Sequence, residues 1–468
     1  MVVLISTYDL GRQPFGIASP LAWLRRAGIE AMAIDLSRDR LSADAVARAQ
    51  FVAFYLPMHT ATRLSIPVID RVRAINPGAT LCAYGLYAQL NEPLLREHGV
   101  TVLLGPEAED DLVAAVREAG EFVRTAGGTR PLMAADQARL EVPTRRAIPR
   151  LPFIQPDRTG LPPLDRYATL QMPDGTRKLV GATDATRGCK HRCRHCPIVP
   201  VYDGQFRVVP IDVVLADIRA QVAAGATHIS FGDPDFFNGP THARKLIDAL
   251  HEEFPHVTYD VIVKVEHLLA HRQLLPRLVE TGCLYVTSAV ESVDETVLEK
   301  LAKGHTRADF VAAAELCRKA GLTLIPTFVA FTPWTTIASY RELLHVTEEL
   351  GLVEHVAPVQ WSIRLLVTWN SRLLELAEIA SLVGPFDPVT LTYPWAHPDP
   401  RVDDLQRAVM DIAGVRLTQS RLDVFDRICD LAHGRPADQE ARIRAFAQSS
   451  ELPRPRTSVP YLNEPWYC

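Results

Sequence analysis

Three cysteines lie close together near the middle of this 468-residue chain, in the segment RGCKHRCRHCP. Cys189, Cys193 and Cys196 have the spacing C-x-x-x-C-x-x-C, with basic residues between them. Three thiolates on one tight loop can hold three corners of an iron–sulfur cubane and leave its fourth iron open to a small ligand. The spacing therefore favours a [4Fe–4S] cluster at this loop.

A structural zinc site is the main alternative for the same loop. C-x-x-C is a common zinc spacing, and either His191 or His195 could supply a fourth ligand. Eight cysteines are too few for a disulfide scaffold in a chain of this length. We therefore expect reduced thiols and a cytoplasmic location.

The order of apolar segments indicates which elements must position this loop. Up to about residue 125, short apolar runs alternate with amphipathic stretches, which is typical of a parallel sheet covered by helices. A second α/β series starts near Leu179, just before the cysteines, and its candidate strands are LVGATDATR, THISFGD, TYDVIVK, LYVTSAV, LTLIPTFVAF and VAPVQWSIRLL. Six β/α units suit a partial (β/α)₆ barrel, in which active-site residues lie at the carboxyl ends of the strands.

The same rhythm divides the chain into five regions. We predict a Rossmann-like domain over 1–125, a Pro- and Arg-rich linker over 126–178 and the partial barrel over 179–370. A helical region over 371–450 and a Pro-rich tail over 451–468 follow. No apolar run is long enough to span a bilayer, and the net charge of −5 gives no indication of a nucleic-acid partner.

The cysteine motif, its place after the first barrel strand and the partial-barrel rhythm resemble the radical S-adenosylmethionine (SAM) superfamily. The resemblance covers roughly residues 179–370 and implies a [4Fe–4S] cluster, SAM and an external one-electron reductant such as flavodoxin or ferredoxin. It implies that SAM is cleaved reductively to modify a small-molecule substrate. His195 departs from the family, which often has an aromatic residue before the third cysteine.

The resemblance also assigns candidate SAM-binding residues to the strand ends. The turn FGDPD lies where the family carries a Gly-Gly-Glu-like sequence for the SAM amino group, and a βα turn with an N-cap Asp is the alternative. The Glu–Ser pair at the fourth strand is similar to that of cobalamin-type members. These candidates are Gly232, Asp233, Asp235, Lys264, Ser288, Glu291 and Arg364. For Lys264 and Arg364, an ordinary strand-end position at the surface is the alternative.

The first 125 residues are similar in rhythm to the cobalamin-binding domain of one radical SAM branch. Ala83-Tyr84-Gly85 and Leu104-Gly105-Pro106-Glu107 fall where that domain has glycine-rich loops. The sequence lacks the Asp-x-His-x-x-Gly motif that supplies a lower ligand to cobalt. Cobalamin and a domain used only for packing and substrate access both remain open.

The chain ends in Asn463-Glu464-Pro465-Trp466-Tyr467-Cys468. This tail resembles that of the CUAEP/CCAEP-tail radical SAM proteins, in which selenocysteine or a second cysteine follows the first. One hypothesis is a selenoprotein whose gene continues through a UGA codon, with Cys468 presenting a thiophilic substrate to the cluster. The alternative is a real terminus with an incidental cysteine.

The sequence thus predicts a radical SAM transferase with two transfer reactions open. With cobalamin, the expected reaction is methyl transfer. Without it, a thiol-bearing tail suggests transfer of a 3-amino-3-carboxypropyl group to a thiophilic acceptor. The competing hypothesis is a non-catalytic metal-binding or redox-sensing protein that uses the same cysteines.

Overall fold

A computed structural model describes residues 1–125, 148–414, 419–434 and 456–464. The first 125 residues form a five-stranded parallel sheet with the strand order β2-β1-β3-β4-β5. Its strands are short and almost fully buried: β1 (Val2–Ser6), β2 (Ala31–Asp35), β3 (Phe51–Tyr55), β4 (Thr80–Tyr84) and β5 (Val102–Leu103).

Helices cover both faces of this sheet, as a parallel sheet requires. They are α1 (Phe15–Arg26), α2 (Ala43–Arg48), α3 (His59–Ile75), α4 (Leu86–Leu90), α5 (Glu92–Glu97) and α6 (Glu109–Thr125). Two apolar clusters, one on each face, form the core of this domain. The strand order reverses beside β1, and ligands of open α/β sheets bind outside the carboxyl ends of strands at such a point.

The second sheet has seven strands in the order β13-β12-β11-β10-β7-β6-β14. Five of them run parallel and form the half-barrel: β7 (Arg177–Thr183), β10 (His228–Phe231), β11 (Thr258–Ile262), β12 (Cys283–Glu291) and β13 (Thr323–Phe328). A separate hairpin of β8 (Thr186–Gly188) and β9 (Phe206–Val208) brackets the cysteine loop.

Most helices of the half-barrel region contribute to one large apolar core, and the two exceptions, Val199–Tyr202 and Glu295–Lys300, pack on smaller clusters. The helices of this region are α7 (Val199–Tyr202), α8 (Ile211–Ala223), α9 (Pro240–Glu253), α10 (Val265–Ala270), α11 (Leu275–Glu280), α12 (Glu295–Lys300), α13 (Arg307–Ala320) and α14 (Ile337–Glu349). The carboxyl ends of the five parallel strands therefore share one rim, which we call the barrel mouth.

The sixth predicted strand, VAPVQWSIRLL, is present only as an isolated parallel bridge between Phe331 and Arg364. A 3₁₀ turn over Pro358–Trp361 occupies the first part of that segment. Proline removes a ladder donor and favours the first turn of a helix, which accounts for the interruption.

The last described residues return to the sheet edge. Strand β14 (Tyr461–Leu462) pairs antiparallel with β6 (Thr169–Gln171), a strand that lies inside the predicted linker. Before it come α15 (Ala377–Leu382), α16 (Pro400–Gly414) and α17 (Arg421–Ala432). None of the helices in the described ranges combines the length and apolarity that crossing a membrane requires.

Candidate functional site

The cysteine loop leaves the hairpin strand β8 at the barrel mouth. Cys189 and Cys193 are buried and Cys196 is half-buried, and none is in a disulfide. The Cys196 amide donates to the Cys193 carbonyl over 3.2 Å, which tightens the end of the loop. Burial raises the pKa of the Cys189 thiol to about 11 and that of Cys196 to about 12. A cation that replaces the thiol protons is therefore needed to make these sulfurs thiolates at neutral pH.

Two buried lysines supply positive charge next to this loop. Lys264 is buried just before α10, and its ammonium favours the thiolate form of Cys189. Lys303 is buried in the loop after α12 and does the same for Cys196. Lysines are rarely buried without an opposite charge. Lys264 has a carboxylate partner in Glu266 and Lys303 has one in Glu291, and each ammonium also faces a thiol of the cysteine loop.

Lys303 also forms one side of a buried triad with Glu291 and His195. The Glu291 Oε1 atom lies 3.3 Å from the Lys303 Nζ and 3.1 Å from the His195 Nε2. Although burial opposes ionisation, these two partners lower the pKa of Glu291 to about 2. Glu291 has a φ of 69°, a left-handed conformation that is uncommon for a residue other than glycine. This backbone turns the carboxylate toward the cysteine loop at the end of β12.

The turn after β10 holds three of the sequence-predicted residues. A Cβ atom on Gly232 would lie 2.4 Å from the Asp184 Oδ1, so any larger residue there would have to displace the Asp184 carboxylate. Asp233 points into the protein and accepts hydrogen bonds from the Ala185 amide and the Thr186 hydroxyl. The Asp235 Oδ1 caps the following turn at the Phe237 amide, as the N-cap alternative predicts.

Two other predicted residues also lie at the barrel mouth, and one is engaged elsewhere. Ser288 on β12 is fully buried, and its hydroxyl has no hydrogen-bond partner among the described residues. The Lys264 Nζ lies 3.4 Å from the Glu266 Oε2. Arg364 instead binds Asp403 over 2.6 Å and stacks on the Trp395 ring, so its guanidinium already holds a carboxylate of this chain. Cys468 lies outside the described residues.

Several buried polar atoms around the mouth have no hydrogen-bond partner within the described part of the chain. They are His191 Nε2, His195 Nδ1, Asp235 Oδ2, His267 Nδ1, Ser288 Oγ and His305 Nδ1. Buried polar atoms without a partner are rare in folded proteins, and a ligand or ion is a common reason for them. The barrel mouth therefore has the unpaired, buried polar atoms that are expected of a binding site.

A second cavity lies between the N-terminal sheet and the half-barrel. It measures about 150 Å³ and is lined by Tyr55, Gly85, Pro106, Thr186 and Gly232, among others. Ligand pockets usually measure about 300–1,000 Å³. The Tyr55 ring packs directly on Gly16, and a Cβ atom there would lie 2.0 Å from the Tyr55 Cζ. The cavity is therefore largely filled by side chains.

Arg187 closes the same interface with a buried ion-pair network. Its Nη1 atom lies 2.9 Å from the Glu107 Oε2 and 2.7 Å from the Glu109 Oε1. Tyr202 donates a further hydrogen bond to Glu107 over 2.8 Å. Since Arg187 stands two residues before Cys189, the N-terminal domain directly holds the stem of the cysteine loop.

The sequence did not single out Lys303, His305 or Arg187 as site residues. Lys303 and His305 lie in a loop after a helix, where no strand pattern draws attention to them. Only 7 of the 50 basic residues are lysines, and this scarcity was the one sequence feature that could have marked Lys303 as a candidate site residue. Gly304 lies between them with a φ of 74°, and a Cβ atom added to it would lie 2.9 Å from the Glu266 Oε2.

Comparison with known sequences places the site in a family. Residues 184–343 match the model of the radical SAM superfamily. A tRNA-2-methylthio-N(6)-dimethylallyladenosine synthase of Sorangium cellulosum is 30% identical over 188 residues, which cover 35% of this chain and 38% of that protein. A bacteriochlorophyllide d C-8(2)-methyltransferase of Chlorobaculum tepidum is 28% identical over 205 residues, covering 41% and 44%. The chain thus aligns with about two fifths of the length of these relatives.

Solved structures share the arrangement of both sheets. The cobalamin-dependent SAM radical enzyme OxsB superposes with a TM-score of 0.68 and 12% identity, covering 96% of this chain and 75% of that one. The radical SAM methyltransferase TsrM of Kitasatospora setae gives a TM-score of 0.57 and 16% identity, covering 75% and 71%. At these identities the likeness concerns the fold. Residues 184–343, which include the three-cysteine loop, thus form a radical SAM domain, and the fold of the chain is similar to that of these cobalamin-binding radical SAM enzymes.

Proposed function

We propose that this chain uses a [4Fe–4S] cluster on Cys189, Cys193 and Cys196 to cleave SAM and transfer a SAM-derived group to a small molecule. The observation that carries the proposal is the burial of Lys264 and Lys303 beside three thiols on one loop. A cluster with three thiolate ligands is anionic, and two buried ammonium groups offset that charge. A tetrahedral zinc site would need a fourth ligand; His195, one candidate, points its Nε2 at Glu291 instead.

When bound, the cluster supplies the electron that breaks a carbon–sulfur bond of SAM. The residues of this chain then have binding and orienting tasks. The Ser288 hydroxyl and the Glu291 carboxylate suit the ribose hydroxyls, because Glu291 is ionised and its two described contacts both use Oε1. Lys264 suits the SAM carboxylate. The carbonyls of the Gly232 turn suit the ammonium, since the Asp233 carboxylate is already hydrogen-bonded within the protein.

The group transferred is methyl or 3-amino-3-carboxypropyl, and the interdomain cavity bears on this choice. At about 150 Å³, with the Tyr55 ring packed on Gly16, this cavity is smaller than an ordinary ligand pocket, and cobalamin would have to displace side chains to enter it. Transfer of 3-amino-3-carboxypropyl to a thiophilic acceptor is the form of the proposal that needs no second cofactor.

The terminal thiol of Cys468 is proposed to hold that acceptor. The described part of the tail supports this idea, because β14 extends the half-barrel sheet and Asn463 bonds to Thr169. Glu464 then contacts Arg38 and lies against Gly11, in the loop that follows β1. A selenocysteine after Cys468 would add a second soft ligand for the thiophilic acceptor. The electron would come from a reductant such as flavodoxin or ferredoxin.

Anaerobic reconstitution with iron and sulfide, followed by dithionite and SAM, tests the proposal. Aminocarboxypropyl transfer releases 5′-methylthioadenosine, whereas hydrogen abstraction releases 5′-deoxyadenosine, and chromatography separates the two. Either product in amounts that depend on the cluster supports a radical SAM enzyme, and methylthioadenosine supports the specific form. Absence of both products from a cluster-loaded sample would favour the non-catalytic metal-binding alternative. The nucleotides after the Cys468 codon separately test whether the chain continues as a selenoprotein.

A further inference from the structure

Two histidines and an aspartate beside the cysteine loop point their polar atoms at one another. His191 lies within the loop, Asp235 follows β10, and His267 is in the first turn of α10. The Asp235 Oδ2 is 2.7 Å from the His267 Nδ1 and 3.3 Å from the His191 Nε2. One ligand atom from each residue falls within 4.8 Å of the others. Ligand atoms that each lie about 2.0–2.2 Å from one cation are roughly 3–3.6 Å from one another. The two distances from the Asp235 Oδ2 are close to that range.

We propose that His191, Asp235 and His267 bind a mononuclear divalent transition-metal ion, separate from the iron–sulfur cluster. The set of two imidazoles and one carboxylate matches the borderline ligands that zinc, iron(II) and manganese(II) accept, and three protein ligands leave coordination positions open. The proposal does not depend on SAM cleavage, since these ligands include none of the cysteines.

The buried state of these atoms is the second observation that supports a cation. The side chains of Asp235 and His267 are 0% and 4% exposed. Three polar atoms of these residues make no well-aligned hydrogen bond with the described part of the chain: His191 Nε2, Asp235 Oδ2 and His267 Nδ1. The Asp235 Oδ2 lies within hydrogen-bond distance of both imidazoles, so the two contacts are close but poorly aligned. A metal ion would pair with all three at once.

Neighbouring groups hold the ligands in the required orientation. The Asp235 Oδ1 is occupied by the Phe237 amide at 3.0 Å, which directs Oδ2 toward the imidazoles. The His191 Nδ1 faces the Glu266 Oε2 at 3.6 Å, and Lys264 contacts the same Glu266 oxygen. A carboxylate beside the distal nitrogen of a ligating histidine is a recurrent feature of metal sites, because it fixes the ring and its tautomer.

Cobalt(II) binding to a full-length variant that cannot assemble the cluster is the direct test. In Cys189→Ala/Cys193→Ala/Cys196→Ala, we expect about one equivalent of Co²⁺ to bind with the visible absorption of a nitrogen- and oxygen-ligated ion. Adding Asp235→Asn or His267→Gln should weaken binding at least about tenfold. His271→Gln is the matched control, since that ring lies 5.5 Å from the His267 ring but outside the ligand set. It should leave Co²⁺ affinity within about twofold.

Metal analysis of the cluster-loaded wild-type protein provides a second measurement if the triple variant misfolds by circular dichroism. We expect one zinc or manganese per chain, or a fifth iron per four sulfides, that disappears in His267→Gln while the cluster remains. No extra metal in wild type, or the same content in His267→Gln and wild type, would overturn the proposal. Co²⁺ binding that needs the cysteines, or that Asp235→Asn and His267→Gln leave unchanged, would overturn it as well.

Discussion

The barrel mouth and the domain interface differ in how their buried polar groups are used. At the mouth, Ser288 and His305 keep buried polar atoms without partners among the described residues, and two lysines face a loop of thiols. At the interface, Arg187 is bound by Glu107 and Glu109 and tyrosines fill the space, although the Glu109 Oε2 atom has no hydrogen-bond partner in the described part of the chain. The interface is thus mostly satisfied by the protein itself, whereas the mouth keeps several polar atoms open to a ligand.

This difference shows that a similar fold does not determine which side chains line a site. The fold of this chain is similar to that of a cobalamin-dependent enzyme over 96% of its length, yet the side chains between its N-terminal sheet and half-barrel form a support for the cysteine loop. Function depends on the groups in the site, and a conserved arrangement of sheets can host different groups.

Replacing one cysteine of the loop should remove the activity altogether. Cys189→Ala leaves too few thiolates for a stable site-differentiated cluster, so we expect SAM cleavage to fall below detection and the brown colour to be lost. Iron and sulfide analysis after reconstitution measures this directly. Cys429→Ala, on α17, is the control and should retain both. A Cys189→Ala protein that still cleaves SAM would invalidate the assignment of the loop.

Breaking the interface network should cost stability. Arg187→Met leaves Glu107 and Glu109 buried without their cation, which we expect to lower the free energy of unfolding by about 3–5 kcal/mol. Urea denaturation of the cluster-free protein measures it. Arg166→Met removes an exposed pair with Asp39 and should cost less than about 1 kcal/mol. Equal losses in the two variants would mean that Arg187 is not a structural anchor.

Removing a buried cation from the mouth should slow catalysis without abolishing it. Lys303→Met leaves Glu291 and the thiolates without their partner, and we expect SAM cleavage to fall about 10- to 100-fold. Lys303→Arg keeps the charge and should recover part of the rate. Rates are compared per assembled cluster. Unchanged rates in Lys303→Met would show that this lysine does not serve the site.

The Glu291 triad should make the mouth sensitive to acid. Because its pKa falls from an ordinary 4.5 to about 2, ionised Glu291 stabilises the fold above pH 4.5, and this contribution disappears as the pH drops toward 2. The difference in unfolding free energy between cluster-free wild type and Glu291→Gln should therefore shrink over that range. A constant difference between pH 6 and pH 2 would contradict the ion pairing.

Cobalamin is expected to have the smallest effect. Adding hydroxocobalamin during purification should leave little cobalt-associated absorption in the protein, since Tyr55 fills the space beside Gly16. Activity should not depend on its presence. Stoichiometric cobalamin that survives gel filtration would mean that the interface opens, and the contrast between the two regions would then fail.

Much of this arrangement follows from local sequence. The cysteine loop and the strands that end at Phe231, Ile262, Glu291 and Phe328 have strong apolar patterns or unmistakable spacing. Strand β6 has three residues and β14 has two, and the paired residues are at least 290 positions apart in the sequence, so no local pattern could predict the pairing. Arg187 likewise has its partners some 80 residues away.

The most direct test of the central claim is the electron paramagnetic resonance spectrum of the dithionite-reduced protein with and without SAM. If three cysteines hold a [4Fe–4S] cluster whose fourth iron is open, reduction should give a cluster signal that changes shape when SAM is added. Methionine, which lacks the sulfonium, should not reproduce the full change. A zinc-loaded protein without such a signal, or a cluster spectrum indifferent to SAM, would contradict the account.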